Sequence, residues 1–128
     1  MPVGARAGYA GRVPLVEVTY APHIPEATLR KLADELPPIV SAAVECPEEP
    51  YDGDLQPGDV ELRFRPHGPY DRCSMEVVIE VRSKYFESRA RDRQQRTDML
   101  HDRIAEVVDL EDFGVFLQMP VAAWTQSE

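Results

Sequence analysis

Apolar and polar residues alternate with a period of two in three stretches of the chain and recur at three- and four-residue spacing in two others. The first alternating stretch is PLVEVTY at 14–20, rich in β-branched and aromatic residues, and reads as a strand. Val16, Val18 and Tyr20 share one face, and Leu15, Glu17 and Thr19 the other. After the linker APHIP, the run PEATLRKLADEL sets Ala27, Leu29, Leu32, Ala33 and Leu36 at helical spacing. Pro25 suits a first helical turn, where Glu26 complements the helix dipole. Pro37 and Pro38 are expected to end or kink this helix. IVSAAVEC at 39–46 then continues it beyond the kink, or forms a second short helix.

Residues 47–59 (PEEPYDGDLQPGD) are turn chemistry throughout, a loop long for a compact domain. VELRFR follows as a second strand, with Val60, Leu62 and Phe64 on one face and Glu61, Arg63 and Arg65 on the other. After the turn PHGPYDRC, SMEVVIEVR at 74–82 reads as a third strand. Met75, Val77, Ile79 and Val81 face one way, and Glu76, Val78, Glu80 and Arg82 the other. A second helix is expected over 88–108, its first half (SRARDRQQRTD) polar and solvated, its second carrying Met99, Leu100, Ile104, Val107 and Val108 as a buried stripe. FGVFLQM at 113–119 is the last strand. The order β-α-β-β-α-β holds two right-handed crossover units, so the expected class is α+β. It is a four-stranded mixed sheet with two helices on one face. The expected domain is 14–128, preceded by an extension of Gly, Ala and Arg at 1–13.

Two helices leave one sheet face uncovered. Alternation puts Leu15, Glu17, Thr19, Glu61, Arg63, Arg65, Glu76, Val78, Glu80 and Arg82 there. Such a face is either solvated and laced with cross-strand ion pairs, or it meets another subunit or lines an anion site. Arg63 and Arg65 point the same way from alternate positions, an arrangement suited to gripping a carboxylate.

Composition narrows the partners. The net charge is -9, with 14 Lys and Arg against 23 Asp and Glu, so the clustered cations of a nucleic-acid binder are missing. No apolar run approaches the roughly 20 residues of a membrane span, and no secretory signal pattern opens the chain. A cytoplasmic protein is the expectation. Cys46 and Cys73 lie in no metal motif and read as ordinary thiols, with a disulfide between them the alternative. Neither His23 nor His101 has a companion at metal-ligand spacing, and the acids of 48–59 lack the order of a calcium loop. Tyr20 and Tyr70 carry hydroxyls able to donate to an enolate oxygen, although an aromatic in a strand or turn more often packs. Twelve prolines, about twice the usual share of ~5%, fall mainly at element boundaries.

With those residues placed, the chain resembles the tautomerase superfamily, and within it 5-carboxymethyl-2-hydroxymuconate isomerase. Pro14-Leu15-Val16-Glu17-Val18 resembles the opening strand that begins at the family's catalytic proline. Leu62-Arg63-Phe64-Arg65-Pro66-His67 resembles its second strand, and Arg93-Gln94-Gln95 with Met99-Leu100 the start of its second helix. The resemblance implies proton transfer on a small carboxylated keto–enol or unsaturated substrate, with no cofactor and no metal. It implies Pro14 as the general base, Arg63 and Arg65 as carboxylate ligands, and assembly as a homotrimer. His67, beside that arginine pair, is a further acid–base candidate.

One feature departs from the family pattern. Thirteen residues precede Pro14, so its nitrogen is a tertiary amide whose lone pair is delocalised into the Val13 carbonyl. Such a nitrogen is no base. Cleavage before Pro14 would restore the amine, and loss of Met1 would expose another at Pro2. The alternatives are a catalytically silent tautomerase-fold protein that is structural or binds a small acid, and a ferredoxin-like dimer of another superfamily.

Overall fold

The computed structural model describes residues 14–46 and 60–121. The elements run β1 (Leu15–Tyr20), α1 (Glu26–Val44), β2 (Glu61–Pro66), β3 (Val77–Arg82), α2 (Glu87–Arg91), α3 (Arg93–Val107) and β4 (Phe113–Gln118). The strands form one mixed sheet in the order β2-β1-β3-β4. β1 pairs parallel with β2 and β3 parallel with β4, while β1 and β3 join the halves antiparallel. Each parallel pair is bridged by helix, as a crossover requires. The expected α+β architecture is the one observed.

Alternation decides which face is covered. Val16 and Val18 of β1 and Val77, Ile79 and Val81 of β3 are at most 1% exposed. They form one core with Leu32, Leu36, Val40 and Val44 of α1 and Leu100 and Ile104 of α3. Each such side chain contributes about 1.5–3 kcal/mol on full burial. Because the core residues come from both helices and both central strands, helices and sheet cannot separate without exposing all of them.

α1 is a single helix of 19 residues with Pro37 and Pro38 inside it, so 39–44 continue the helix as expected and the alternative of a second short helix does not hold. The two missing N–H donors are offset by burial of Leu36, Ile39, Val40, Ala43 and Val44 on both sides of the prolines. Two local expectations are corrected. The helix expected over 88–108 is instead two, broken at Asp92 (φ −114°, ψ 31°). Its polar first half is not all solvated: Arg89 has no exposed surface and Arg96 is only partly exposed. β3 begins at Val77, because Ser74 to Glu76 form a bend. The bend releases Met75 from the core-side parity of Val77, and its Sδ lies over Gly114 instead.

The two arginines cap α1. No basic residue occupies the last turn of that helix. Arg89 donates from Nε to the Val44 carbonyl at 2.7 Å and from Nη1 to the Lys84 carbonyl at 2.6 Å. Arg96 donates from Nη1 to the carbonyls of Ala43, at 2.8 Å, and Glu45, at 2.7 Å. Helix C-terminal carbonyls that α1 cannot satisfy internally thus meet cations from a remote segment, with the favourable sign for the helix dipole.

Candidate active site

The sheet face away from the helices carries the charged residues expected there. Register places Leu15 beside Glu61 on one side and Arg82 on the other, and Glu17 beside Arg63 and Glu80. Pro14, immediately before β1, is buried, and its carbonyl accepts from the Glu61 N–H at 3.0 Å. A shallow cleft opens at this end of the sheet, lined by Leu15, Val16, Glu17, Glu61, Arg63 and Arg82. Its free volume of about 20 Å³ is room for roughly one water, so one chain alone does not enclose a substrate.

The paired arginines diverge. Arg65 forms an ion pair with Glu17, Nη2 to Oε2 3.0 Å, and does not line the cleft. Arg63 does line it and has no ion-pair partner among the described residues. The second cation there is Arg82, whose Nη2 stands 3.5 Å from Glu80 Oε2. Sequence alternation put Arg82 on this face, but only the antiparallel β1–β3 pairing brings the end of β3 to the start of β1. Glu61 was missed for the same reason: its nearness to Pro14 depends on strand order.

His67 is elsewhere. Its backbone N–H donates to the Tyr20 carbonyl at 2.8 Å, past the far end of β1. Leu15 and Tyr20 are five strand residues apart, roughly 16 Å. The structure therefore does not bring His67 together with Pro14. Its Nε2 is buried and has no hydrogen-bond partner among the described residues. Pro2, the rest of 1–13 and the acidic loop at 47–59 lie outside the described residues.

A wider groove of about 340 Å³ occupies the His67 end of the sheet, with His23, Thr28, Glu76, Asp109, Glu111 and Asp112 in its lining. His23 Nε2 meets Glu76 Oε2 at 2.6 Å there. Four carboxylates give this groove the wrong sign for an anionic substrate, so the smaller arginine-lined cleft is the better carboxylate site despite its size. His101 stacks on Phe113, ring centroids 4.4 Å apart, and Tyr70 is 89% exposed; neither lines the cleft. Tyr20 packs against the core. Cys46 and Cys73 are both free thiols, so the disulfide alternative does not hold. Among the described residues no group of three His, Cys, Asp or Glu is placed to hold a metal, and no helix is long and apolar enough to cross a membrane.

No family model and no curated protein matches the sequence. Solved structures do match the fold. Malonate semialdehyde decarboxylase aligns over 89% of this chain and 91% of its own, with a TM-score of 0.63 and 15% identity. A macrophage migration inhibitory factor-like protein of Entamoeba histolytica aligns over 90% and 96%, with a TM-score of 0.56 and 14% identity. A fused 4-OT symmetric trimer aligns over 83% and 85%, with a TM-score of 0.54 and 11% identity. These neighbours are members of the tautomerase superfamily. Identities this low establish architecture and not chemistry, and what they establish is that this chain has the tautomerase-superfamily fold.

Proposed function

We propose that the chain is a tautomerase-type isomerase that moves a proton within a small carboxylated keto–enol or unsaturated substrate, working as a homotrimer. The observation that carries this is the cleft at the start of β1, one residue after Pro14, where Arg63 and Arg82 line one opening together with Leu15. Two guanidinium groups bind a substrate carboxylate and offset charge that develops on an enolate oxygen. Arg65 acts one step removed, holding Glu17 through their 3.0 Å pair. Where the bond before Pro14 is cut, the freed secondary amine is the base at the edge of this cleft. His67 has no part in chemistry at the Pro14 end.

The trimer is supported by the fused 4-OT trimer that shares the fold, and by the volume of the cleft, which needs a second wall. The uncovered face offers Phe116, 59% exposed, as an apolar contact for that wall. Two free thiols fit a reducing, cytoplasmic setting. The resemblance to 5-carboxymethyl-2-hydroxymuconate isomerase sets the substrates to try first, a hydroxymuconate and phenylenolpyruvate.

A second function is favoured by one specific observation, the amide nitrogen of Pro14 in the uncut chain. It is a silent tautomerase-fold protein that binds a small acid without turning it over. Assay of both substrates, with the N-terminal residue identified by mass spectrometry, separates the two. Turnover above buffer supports the isomerase, and carboxylate binding without turnover supports the silent protein.

A further inference from the structure

We propose that Glu61 is the proton-carrying carboxylate of the cleft in the uncut chain, a role that rests on the cleft being a small-carboxylate site. The Pro14 nitrogen is bonded to the Val13 carbonyl and has no lone pair to give. Of the six lining residues, Leu15 and Val16 have no titratable group, and Arg63 and Arg82 stay charged. Only Glu17 and Glu61 are left. Glu17 is engaged by Arg65 and its side chain is 18% exposed. Glu61 is exposed and has no side-chain hydrogen bond or ion pair among the described residues. Its backbone is nonetheless fixed, because its N–H is bound to the Pro14 carbonyl and its Cα is in register with Leu15.

Glu61 and Arg82 flank Leu15 from its two neighbouring strands. Two strand spacings separate their backbones by roughly 9–10 Å. A 2-oxo acid whose carboxylate is held by Arg82 and Arg63 turns its next carbon toward Glu61 across that gap. The step then balances on this chain alone. The Glu61 carboxylate takes a proton from C3, and the C–H electron pair becomes the C2–C3 double bond. The carbonyl pair moves to oxygen, and the enolate that forms lies beside the arginines. Return of the proton from Glu61 to that oxygen gives the enol and restores the carboxylate. No oxidant or cofactor enters.

The test uses the full chain with its N-terminal residue verified by mass spectrometry. Ketonisation of phenylenolpyruvate is followed for the wild type, Glu61→Gln and Glu61→Asp, with malonate binding measured by calorimetry as a readout independent of turnover. Glu61 is exposed, so both variants are expected to fold as the wild type does, checked by circular dichroism. The expected result is a kcat lowered about 100-fold or more in Glu61→Gln, partial recovery in Glu61→Asp, and malonate affinity unchanged or tighter in both. A Glu61→Gln kcat within threefold of the wild type overturns the role of Glu61. So does an uncut wild type that binds malonate without turnover, which leaves the carboxylate site standing. A wild type that does not bind malonate overturns the carboxylate site itself, and the role of Glu61 with it.

Discussion

Arg89 donates its Nε to the carbonyl of Val44 at 2.7 Å, from a side chain with no exposed surface, 45 residues along the chain. The bond ties the short helix α2 to the end of α1, and Nη1 reaches Lys84 from the same guanidinium. Phe86 lies beneath that group, 5.3 Å from ring centre to Cζ. Arg89→Met fills much of the space but leaves the buried Val44 carbonyl without its donor and breaks the part-buried bond to Lys84. The expected loss of stability is about 2–4 kcal/mol, measured by urea denaturation. A loss below about 0.5 kcal/mol would show that the cap carries nothing.

Asp92 sits at the break between α2 and α3, where it accepts from Arg96 Nε at 2.6 Å. That hydrogen bond is the largest cause of a pKa held below the usual Asp value of 3.8, opposed by partial burial. A depressed folded-state pKa contributes stability that is fully present above about 3.8 and lost as pH falls through the folded value. The stability difference between wild type and Asp92→Asn is therefore expected to be constant from pH 7 to 5 and to shrink below pH 4. A difference that stays constant down to pH 3 contradicts this.

The cores of the elements were legible before the structure, and their junctions were not. Val77, Ile79 and Val81 announce a covered face because period two leaves no other arrangement for three β-branched residues in a row of alternates. Arg89 offers no such signal. Local pattern assigns an arginine to solvent, and its burial follows from the position of the α1 C-terminus, a long-range fact. Arg82 and Glu61 were likewise visible as members of a face but not as neighbours of Pro14, since strand order is set by packing between distant segments. Arg63 and Arg65 looked equivalent by spacing. They differ because Glu17, in register with Arg63, makes its ion pair with Arg65 instead, at 3.0 Å.

Two prolines inside α1 are a local cost that the core offsets. Pro38 is exposed, so little packing is lost on truncating it. Pro38→Ala restores a backbone donor to the helix and is expected to raise stability by about 1–3 kcal/mol, read as a higher urea midpoint at unchanged slope. An unchanged or lower midpoint would mean that the proline is favoured by its surroundings.

At Gly114 an added Cβ would stand 2.7 Å from Met75 Sδ, inside contact distance, but the obstacle is the far end of a flexible side chain. Gly114→Ala is expected to shift stability by less than about 1 kcal/mol, as Met75 moves aside. The double variant with Met75→Ala should show no further strain. A loss above about 2 kcal/mol would place a rigid neighbour there.

The cleft separates the roles of three arginines. Arg63→Ala and Arg82→Ala are each expected to raise KM for a carboxylate substrate about 10-fold or more, since a charge-assisted contact of 1.5–3 kcal/mol is lost. Arg65→Ala, acting through Glu17, should change KM less than either. Steady-state kinetics on the three variants decide this, and equal effects of all three would contradict the divergence of Arg63 and Arg65.

The most direct measurement is the ketonisation of phenylenolpyruvate, followed by absorbance, by wild-type protein and by Arg63→Ala/Arg82→Ala. The full chain and a chain beginning at Pro14 are assayed side by side. A proton-transfer site at this end of the sheet predicts turnover above buffer in wild type, reduced at least about 100-fold in the double variant. Rates equal to buffer for both wild-type forms, or turnover that survives loss of both arginines, would contradict it.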